Sequence, residues 1–366
     1  MYCYQCMSPM QGERCPQCGF VPRRYQPIPT ALPPESVLAG KYQVGCVLGK
    51  GGFGITYIGR IISSGQVVAV KEYFPSVFAT RDSAQSKRIR ISSGARDNFE
   101  KGVRRFYEEA ETLSRLRSIP AIVQVYDFFY ENGTAYIVME YIKGQTVENL
   151  VKQRGRLDLP LVLTIFYPIM EALHAVHQTG LLHRDVSPCN IILDKHFQPR
   201  LIDFGAARAF SGQLSSDMSV ILKKGFAPLE QYTEHGRHGP AEDIYGLSAS
   251  IYYALTGRVP PASTDRVIFD TLQPLAAHGA SVSPQFEQIL MRGLAVHFTD
   301  RYAGMDEMCR AIDQLLLAPT PEATLRAPEP VGVNRPLQKQ IHPIIWPCAI
   351  GAVGMLILVV LLLLTK

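Results

Sequence analysis

The spacing of apolar residues along the chain predicts strands first and helices afterwards. Apolar residues alternate around 42–46 and run together at 67–70, which favours two paired strands joined by a turn at 63–65. At 106–116 they recur every three or four positions, and a second helical pattern runs from 161 to 177, just before Gly180. The pattern therefore predicts a small β-rich part followed by a mainly helical part.

The C-terminal end has a different pattern, because residues 344–364 include no charged side chain. As a helix, this segment would be about 31 Å long, which matches a bilayer core of about 30 Å. A buried helix of a globular domain is the alternative, but the segment has no polar face. We expect a transmembrane helix, and the basic residues before it favour a cytosolic N-terminal side: Arg335, Lys339 and His342.

Four of the eight cysteines form two Cys-x-x-Cys pairs near the N-terminus: Cys3, Cys6, Cys15 and Cys18. Two such pairs, separated by a short loop, can present four thiolates to one zinc ion in a closed, structural site. A redox pair or disulfides are the alternatives. The other cysteines are scattered, which is unlike a disulfide framework and indicates a reducing compartment.

The composition gives no indication of nucleic-acid binding. The formal net charge of +5 over 366 residues is too small to indicate a concentrated basic face.

Residues 22–34 contain five prolines and few large apolar side chains, which favours an extended linker. A basic segment follows the predicted strands, and we interpret it as solvated surface, with a docking or lipid-facing patch as the alternative. Its basic residues are Arg81, Lys87, Arg88, Arg90, Arg96, Lys101, Arg104 and Arg105.

The motifs that carry chemistry lie within the strand and helix part. They are the turn Gly49-Lys50-Gly51-Gly52-Phe53-Gly54, the run ending at Lys71, the triplet His183-Arg184-Asp185, Asn190, and the triplet Asp203-Phe204-Gly205. Glycines without a Cβ allow a backbone to approach phosphates closely, although such a turn alone is more often an ordinary hairpin. In this order, the set predicts a phosphoryl-transfer centre.

On these motifs the chain resembles a eukaryotic-like bacterial Ser/Thr protein kinase. The resemblance implies an α+β fold with two lobes, a β-rich N-lobe at 41–140 and a helical C-lobe at 143–317. It also implies ATP and Mg²⁺ (or Mn²⁺) as cofactors and proteins as substrates. Around the kinase domain (41–317) we expect a zinc ribbon at 1–20, a proline-rich linker at 21–40, a juxtamembrane linker at 318–343 and a single transmembrane helix at 344–364.

The same resemblance assigns roles to individual residues. Lys71 would contact the α- and β-phosphates, with Glu109 rather than Glu108 as its ion-pair partner from the helix. Asp185 would be the catalytic base, and Asn190 and Asp203 the magnesium ligands. The positions expected to line the ATP site are Gly49, Lys50, Gly51, Gly52, Gly54, Thr56, Ala69, Lys71, Met139, Glu140 and Ile142. Met139 would be the gatekeeper, and adenine would meet the backbone of Glu140 and Ile142.

The chain departs from the family pattern at two linked positions. Ser187 stands where the family usually has a lysine, and Lys223 stands where it usually has a threonine. We expect Lys223 to supply the missing cation from the opposite side, with Ser187 making the hydroxyl contact. A solvent-facing Lys223 and a weakened enzyme are the alternative. Thr56 also replaces a valine over the adenine, and its β-branched side chain should still pack there.

By resemblance, further residues build the platform for a protein substrate. Glu230 would pair with Arg301, and the helix containing Asp243 would support the catalytic loop. Between Gly205 and Glu230 four serines are candidates for autophosphorylation, and a phosphoserine there could pair with Arg184. These serines are Ser211, Ser215, Ser216 and Ser219.

The sequence thus predicts a membrane-anchored serine/threonine protein kinase that also phosphorylates itself. We expect a single-pass protein of the inner membrane with its zinc ribbon and kinase domain in the cytoplasm. A weakly active pseudokinase acting as a signalling scaffold is the alternative, and Ser187 is its best argument. A lipid-binding scaffold has little support. The oligomeric state is left open, with a homodimer among the options.

Overall fold

The computed structural model describes residues 1–81, 86–117, 119–204, 222–233 and 238–317. The strands are β1 (Val37–Leu38), β2 (Tyr42–Lys50), β3 (Gly54–Ile61), β4 (Val67–Tyr73), β5 (Ala79–Thr80), β6 (Arg90–Ile91), β7 (Val125–Glu131), β8 (Thr134–Glu140), β9 (Gly144–Thr146), β10 (Ile191–Asp194) and β11 (Pro199–Leu201). The helices are α1 (Arg96–Arg115), α2 (Val147–Arg154), α3 (Leu159–His177), α4 (Pro240–Thr256), α5 (Ser263–Arg266), α6 (Pro284–Gly293) and α7 (Met305–Leu317). Short 3₁₀ turns lie between them.

The N-lobe is an antiparallel sheet of six strands in the order β1-β2-β3-β4-β8-β7. The predicted turn at 63–65 joins β3 to β4, and Gly65 adopts a φ of +76°, which a residue without a Cβ adopts at no steric cost. Because β1 begins at Val37, the sheet starts before residue 41, where we expected the domain to begin.

Helix α1 packs on this sheet and is longer than the sequence pattern indicated. The pattern predicted 106–116, but the helix begins at Arg96 and ends at Arg115. Its buried residues form one stripe: Phe99, Gly102, Phe106, Ala110 and Leu113. The basic residues at 96–105 therefore belong to a helix, with Arg96, Lys101 and Arg104 on its exposed side.

The C-lobe is built around α3 and α4. The prediction of a helix at 161–177 is confirmed, since α3 spans Leu159–His177 and its first turn is capped by Asp158, which accepts from the N–H of Leu161. Among the described residues, α3 is the one helix long and apolar enough to cross a membrane. Its apolar composition has another explanation, because eight of its side chains are buried in the lobe: Val162, Ile165, Phe166, Ile169, Met170, Ala172, Leu173 and Val176.

Residues 1–38 pack against the N-lobe, and this packing corrects the prediction for the proline-rich segment. Ala31 and Leu32 are buried at 2% and 1% exposure, so the expectation of an extended, unpacked linker is wrong there. Tyr57 and Ile58, which are neighbours in the regular strand β3, are both fully buried, and Ile58 packs with Met7 of the N-terminal segment. Successive residues of a strand face opposite sides, so burial of both means that each face of the sheet is covered at this point.

The interpretation of the basic segment as solvated surface is wrong for Arg81. Its side chain is fully buried and forms an ion pair with Glu72 of β4. Glu72 also accepts hydrogen bonds from Tyr57 and Tyr136, both at 2.8 Å. A buried charge persists only when paired and hydrogen-bonded, so this cluster is satisfied as a unit. Lys87, Arg88 and Arg90 are exposed, as predicted.

Several predictions from the sequence concern residues outside the described ranges. These are Gly205 of the Asp-Phe-Gly triplet, the four candidate phosphoserines (Ser211, Ser215, Ser216, Ser219), the juxtamembrane linker at 318–343 and the transmembrane helix at 344–364.

Candidate active site

The glycine-rich turn joins β2 to β3 and forms one wall of the site. The turn closes through a hydrogen bond from the N–H of Gly51 to the carbonyl of Gly54 at 2.9 Å. A Cβ added to Gly49 or Gly51 would meet no atom within 4 Å, so the backbone here faces open space. At Gly54 an added Cβ would lie 2.7 Å from the carbonyl of Glu72, which explains that glycine by packing within the sheet.

The remaining predicted nucleotide positions lie on β3, β4 and β8. Thr56 pairs across the sheet with Lys71, and Ala69 pairs with Met139. Ala69 and Met139 are each 7% exposed, so both are packed into the lobe. The N–H of Glu140 donates to the carbonyl of Gln124 at 2.8 Å, so this N–H is not open to adenine, and the predicted adenine contacts are limited to the carbonyl of Glu140 and the backbone of Ile142.

Lys71 meets the carboxylate of Asp203 at 2.9 Å. Burial alone would lower the pKa of Lys71, but Asp203 and, after it, Glu109 raise it above its usual value. Conversely, burial would raise the pKa of Asp203, and Lys71 holds it below its usual range. The ammonium and the carboxylate are therefore both charged at neutral pH. Glu109 is close enough to act on Lys71, although the ion pair of Lys71 in this structure is with Asp203.

The catalytic loop is held from below by Asp243 of α4. Its buried carboxylate accepts backbone N–H bonds from His183 at 2.9 Å and Arg184 at 2.6 Å. These bonds fix a backbone in which Arg184 has a φ of +63°, a conformation that side chains with a Cβ rarely adopt. Burial would raise the pKa of Asp243, but the bonds to His177 and His183 lower it, so the group remains a carboxylate.

His183 links this loop to the Asp203 segment. Its Nε2 lies 2.9 Å from the carbonyl of Ile202, and its Nδ1 accepts from the N–H of Asp185. The ring is therefore the neutral Nε2–H tautomer, in agreement with a pKa that burial lowers. It also packs on Phe204, with ring centroids 4.4 Å apart.

Asp185 is surrounded by donors from two parts of the chain. The side-chain amide of Asn190 donates to Asp185 Oδ2 and to its carbonyl, both at 2.8 Å. Lys223 Nζ lies 2.8 Å from the same Oδ2 and 2.9 Å from Ser187 Oγ. Burial would lower the pKa of Lys223, but Asp185 raises it. The structure thus brings together Asp185, Ser187 and Lys223, and the ammonium lies beside the carboxylate of Asp185, the predicted catalytic base.

A buried ion pair anchors the loop that follows Lys223. Arg301 donates to both oxygens of Glu230, at 2.6 and 3.1 Å, in a fully buried, two-pronged contact. Gln231 extends this anchor to the catalytic loop, because its amide donates to the carbonyl of Arg184 at 2.9 Å. The role of Gln231 was not predicted, since nothing in the local sequence marks it.

The donor set fits the magnesium expected from the family. Asp203 offers a carboxylate. Asn190 uses its amide nitrogen on Asp185, and its oxygen, which accepts only a weak bond from Cys189 Sγ at 3.7 Å, is the atom that could face a cation. Oxygen ligands of this kind are what Mg²⁺ prefers.

The four N-terminal cysteines fit zinc. Their sulfur atoms all lie within 4.8 Å of one another, with Cys3 to Cys18 at 3.6 Å and Cys6 to Cys15 at 3.7 Å. A tetrahedral site with Zn–S bonds of about 2.3 Å requires sulfur atoms about 3.8 Å apart. Within the described part of the chain no cysteine forms a disulfide, so that alternative is wrong for these four residues.

The N-lobe and C-lobe meet at a cleft that is covered by the glycine-rich turn and has the polar residues around Asp185 and Asp203 at its base. This arrangement defines the class of a protein kinase. The comparisons with known proteins agree. The protein kinase domain family matches residues 42–312. The chain is 29% identical over 278 residues to the serine/threonine-protein kinase PrkC of Bacillus subtilis, and 27% identical over 308 residues to the serine/threonine-protein kinase PknA of a Nostoc species.

These matches cover 74% and 81% of this chain, but only 40% and 51% of the two relatives, so the chain spans about half of their length or less. Among solved structures, the apo form of PpkA-294 is 35% identical, with a TM-score of 0.67 over 77% of this chain and 99% of that one. The chain belongs to the protein kinase domain family. The predicted bilobal fold and the assignment to the serine/threonine kinases are confirmed at the level of the family.

Proposed function

We propose that this protein transfers the γ-phosphoryl group of ATP to serine or threonine hydroxyls of proteins. The observation that carries the proposal is the convergence of charged groups from distant parts of the chain: Lys71 on Asp203 at 2.9 Å, and Lys223 on Asp185 at 2.8 Å. Phosphoryl transfer needs positioning and charge neutralisation more than covalent chemistry, and these groups supply both.

Each residue has a part in this reaction. Lys71 holds the α- and β-phosphates, and Glu109 on α1 supports it. Asp185 orients the acceptor hydroxyl and takes its proton as the oxygen attacks the γ-phosphorus, while ADP leaves. Asn190 and Asp203 would hold magnesium, which neutralises the charge of the phosphates.

Lys223 replaces, from the other side of the site, the lysine that the family usually has at position 187. Its distances to Asp185 and Ser187 support the exchange and disfavour the solvent-facing alternative. Placed there, the ammonium stabilises the negative charge on the transferred phosphoryl group. The residues that a pseudokinase lacks are in place, so the scaffold alternative has no specific support in the site.

We further propose that the four cysteines bind a structural zinc ion, and that the chain is anchored in the inner membrane by residues 344–364, with the kinase domain in the cytoplasm. The sulfur distances support the zinc ion. The membrane anchor, autophosphorylation and a homodimer rest on the sequence alone.

The direct test is transfer of labelled phosphate from ATP to a generic protein substrate by the full chain. Asp185→Asn should lower transfer by roughly 10²–10⁴-fold, the usual contribution of a general base, and leave Mg²⁺-nucleotide binding intact. Glu108→Ala, an exposed change on α1, is the matched control and should keep full activity. Equal transfer by wild type and Asp185→Asn would refute the proposal.

A further inference from the structure

The cysteine module, residues 1–20, is docked on the outer face of the N-lobe. The N–H of Cys46 donates to the carbonyl of Tyr4 at 2.7 Å, which joins the module to β2 by a backbone hydrogen bond. Next to this bond Met7, Cys46 and Ile58 form a small core, exposed by 4%, 7% and 0%. Gly45 makes the approach possible, because a Cβ there would lie 2.2 Å from the carbonyl of Tyr4.

This small core reaches the hinge between the lobes. Tyr141 lies between Glu140 and Ile142, whose backbone we assigned to adenine, and its side chain packs against the core that the module forms with the sheet. The position of the hinge backbone is therefore tied to the position of Met7, which directly follows the zinc ligand Cys6.

The connecting segment, residues 21–38, makes a second link, to the glycine-rich turn. Lys50 of the turn donates to Thr30 Oγ1 at 3.0 Å. The hydroxyl of Tyr25 accepts from the N–H of Val47 at 3.4 Å in the strand that leads into the turn. A third contact, from the N–H of Leu32 to the hydroxyl of Tyr57 at 3.0 Å, holds the segment on β3.

The module has too little core to keep its shape without a metal. Its own buried cluster consists of Cys3, Met10 and Cys15, with Cys6 and Phe20 packed beside it, so most of its interior is made of the ligands themselves. Small domains of this kind are unfolded until the ion binds. Loss of the metal should therefore remove the surface that contacts the hinge.

We infer that metal loading of the cysteine module controls the affinity of the kinase domain for nucleotide. With the ion bound, the module and the connecting segment brace the hinge and the glycine-rich turn in the geometry that holds ATP. Without it, the module loses the surface that contacts the hinge, and nucleotide affinity falls. The inference rests on the nucleotide site of the proposed function.

The test compares Mg²⁺-nucleotide affinity, measured by calorimetry with a non-hydrolysable ATP analogue, in three states of the full chain: zinc-loaded, stripped with a zinc-selective chelator, and reloaded. Stripping should raise the dissociation constant roughly fivefold or more, and reloading should return it to the zinc-loaded value. An unchanged dissociation constant in folded, stripped protein would overturn the inference.

Two variants separate docking from metal binding. Gly45→Val should push the module off β2 and weaken nucleotide affinity while the zinc content stays at one ion per chain. Thr30→Ala removes the contact with Lys50 and should act in the same direction, with no expected effect on folding. Glu13→Ala is the control, because this exposed residue of the module pairs only with Arg23 in the described structure and should change nothing.

These variants decide the matter even if stripped protein unfolds, since both keep their zinc. Wild-type affinity in Thr30→Ala and in a folded Gly45→Val protein would overturn the inference. A zinc-loaded wild type with no Mg²⁺-nucleotide affinity would instead refute the proposed function, so the two failures are distinguishable.

Discussion

Lys223 shows how one side chain can complete a site from a distant part of the chain. It reaches Asp185 across 38 positions of sequence, and it contacts Ser187 where the family pattern has a lysine. The cation is thus present at the carboxylate of Asp185, the proposed catalytic base, although the local motif lacks it. What matters to the reaction is where the charge stands, and not which loop supplies it.

Removal of this ammonium should reduce catalysis. We expect Lys223→Ala to lower phosphate transfer roughly tenfold to hundredfold, the effect of losing a charge-assisted hydrogen bond worth about 1.5–3 kcal/mol. Lys224→Ala is the matched control, because Lys224 is the exposed neighbour in the same loop and should retain activity. Initial rates at saturating ATP and substrate would measure both, and the reverse ranking would disprove the role of Lys223.

The exchange of residue types between positions 187 and 223 also predicts that a second substitution restores activity. Ser187→Lys alone should place two ammonium groups beside Asp185 and lower the transfer rate by their repulsion. Ser187→Lys combined with Lys223→Thr restores a single cation on the other side and should be more active than the single Ser187→Lys variant. A double variant less active than either single variant would argue that the two positions are not coupled.

At the scale of elements, α1 approaches the sheet closely because of one glycine. A Cβ at Gly102 would lie 1.8 Å from the hydroxyl of Tyr73. The same helix carries Phe106, whose ring is 5.9 Å from Lys71 Nζ, and Glu109, which follows three residues later, about 0.8 of a turn further on. The distance between helix and sheet therefore sets where Glu109 stands relative to Lys71.

Gly102→Ala tests this coupling. In an exposed helix the change would stabilise the protein by about 1 kcal/mol, because alanine has the higher helix propensity. Here we expect destabilisation of about 1–3 kcal/mol from overpacking, together with a loss of phosphate transfer as α1 shifts. Glu100→Ala, on the exposed side of α1, is the control. Thermal unfolding would measure the change in stability, and initial rates would measure the loss of phosphate transfer. Increased stability with full activity would contradict the prediction.

At the scale of the whole molecule, residues 1–38 are part of the N-lobe. Arg81 connects them to the sheet, because its guanidinium pairs with Glu72 and also donates to the carbonyl of Thr30 in the connecting segment. Burial raises the pKa of Glu72, and Arg81 opposes this shift. A charge so placed stabilises the fold only while its partner is present.

Arg81→Met should therefore lower the free energy of unfolding by about 3–5 kcal/mol, because it leaves a buried carboxylate without its counter-ion. Adding Glu72→Gln removes that charge and should recover most of the loss. Denaturant unfolding of the full chain would give both values. A double variant no more stable than Arg81→Met would show that the charge of Glu72 is not the cause.

The sequence predicted the parts that depend on local spacing. The apolar period located α3 within two residues, and the motif order identified the groups that meet at the cleft, including the pairing of Lys223 with Ser187. It missed the first ten residues of α1, because their buried positions, Phe99 and Gly102, are separated by charged side chains that hide the helical stripe.

Sequence alone determined the family and the order of elements, and it predicted which polar groups meet in the cleft, because backbone period and motif spacing are local properties of the sequence. Only the tertiary structure decided that Arg81 is buried, that Gln231 binds the carbonyl of Arg184 and that the N-terminal segment covers Ile58 on the second face of the sheet. A proline-rich or basic segment looks the same in sequence whether it meets water or a partner surface. Its burial depends on whether distant residues provide a packing surface or a charged partner for it, and these residues meet it only when the chain has folded.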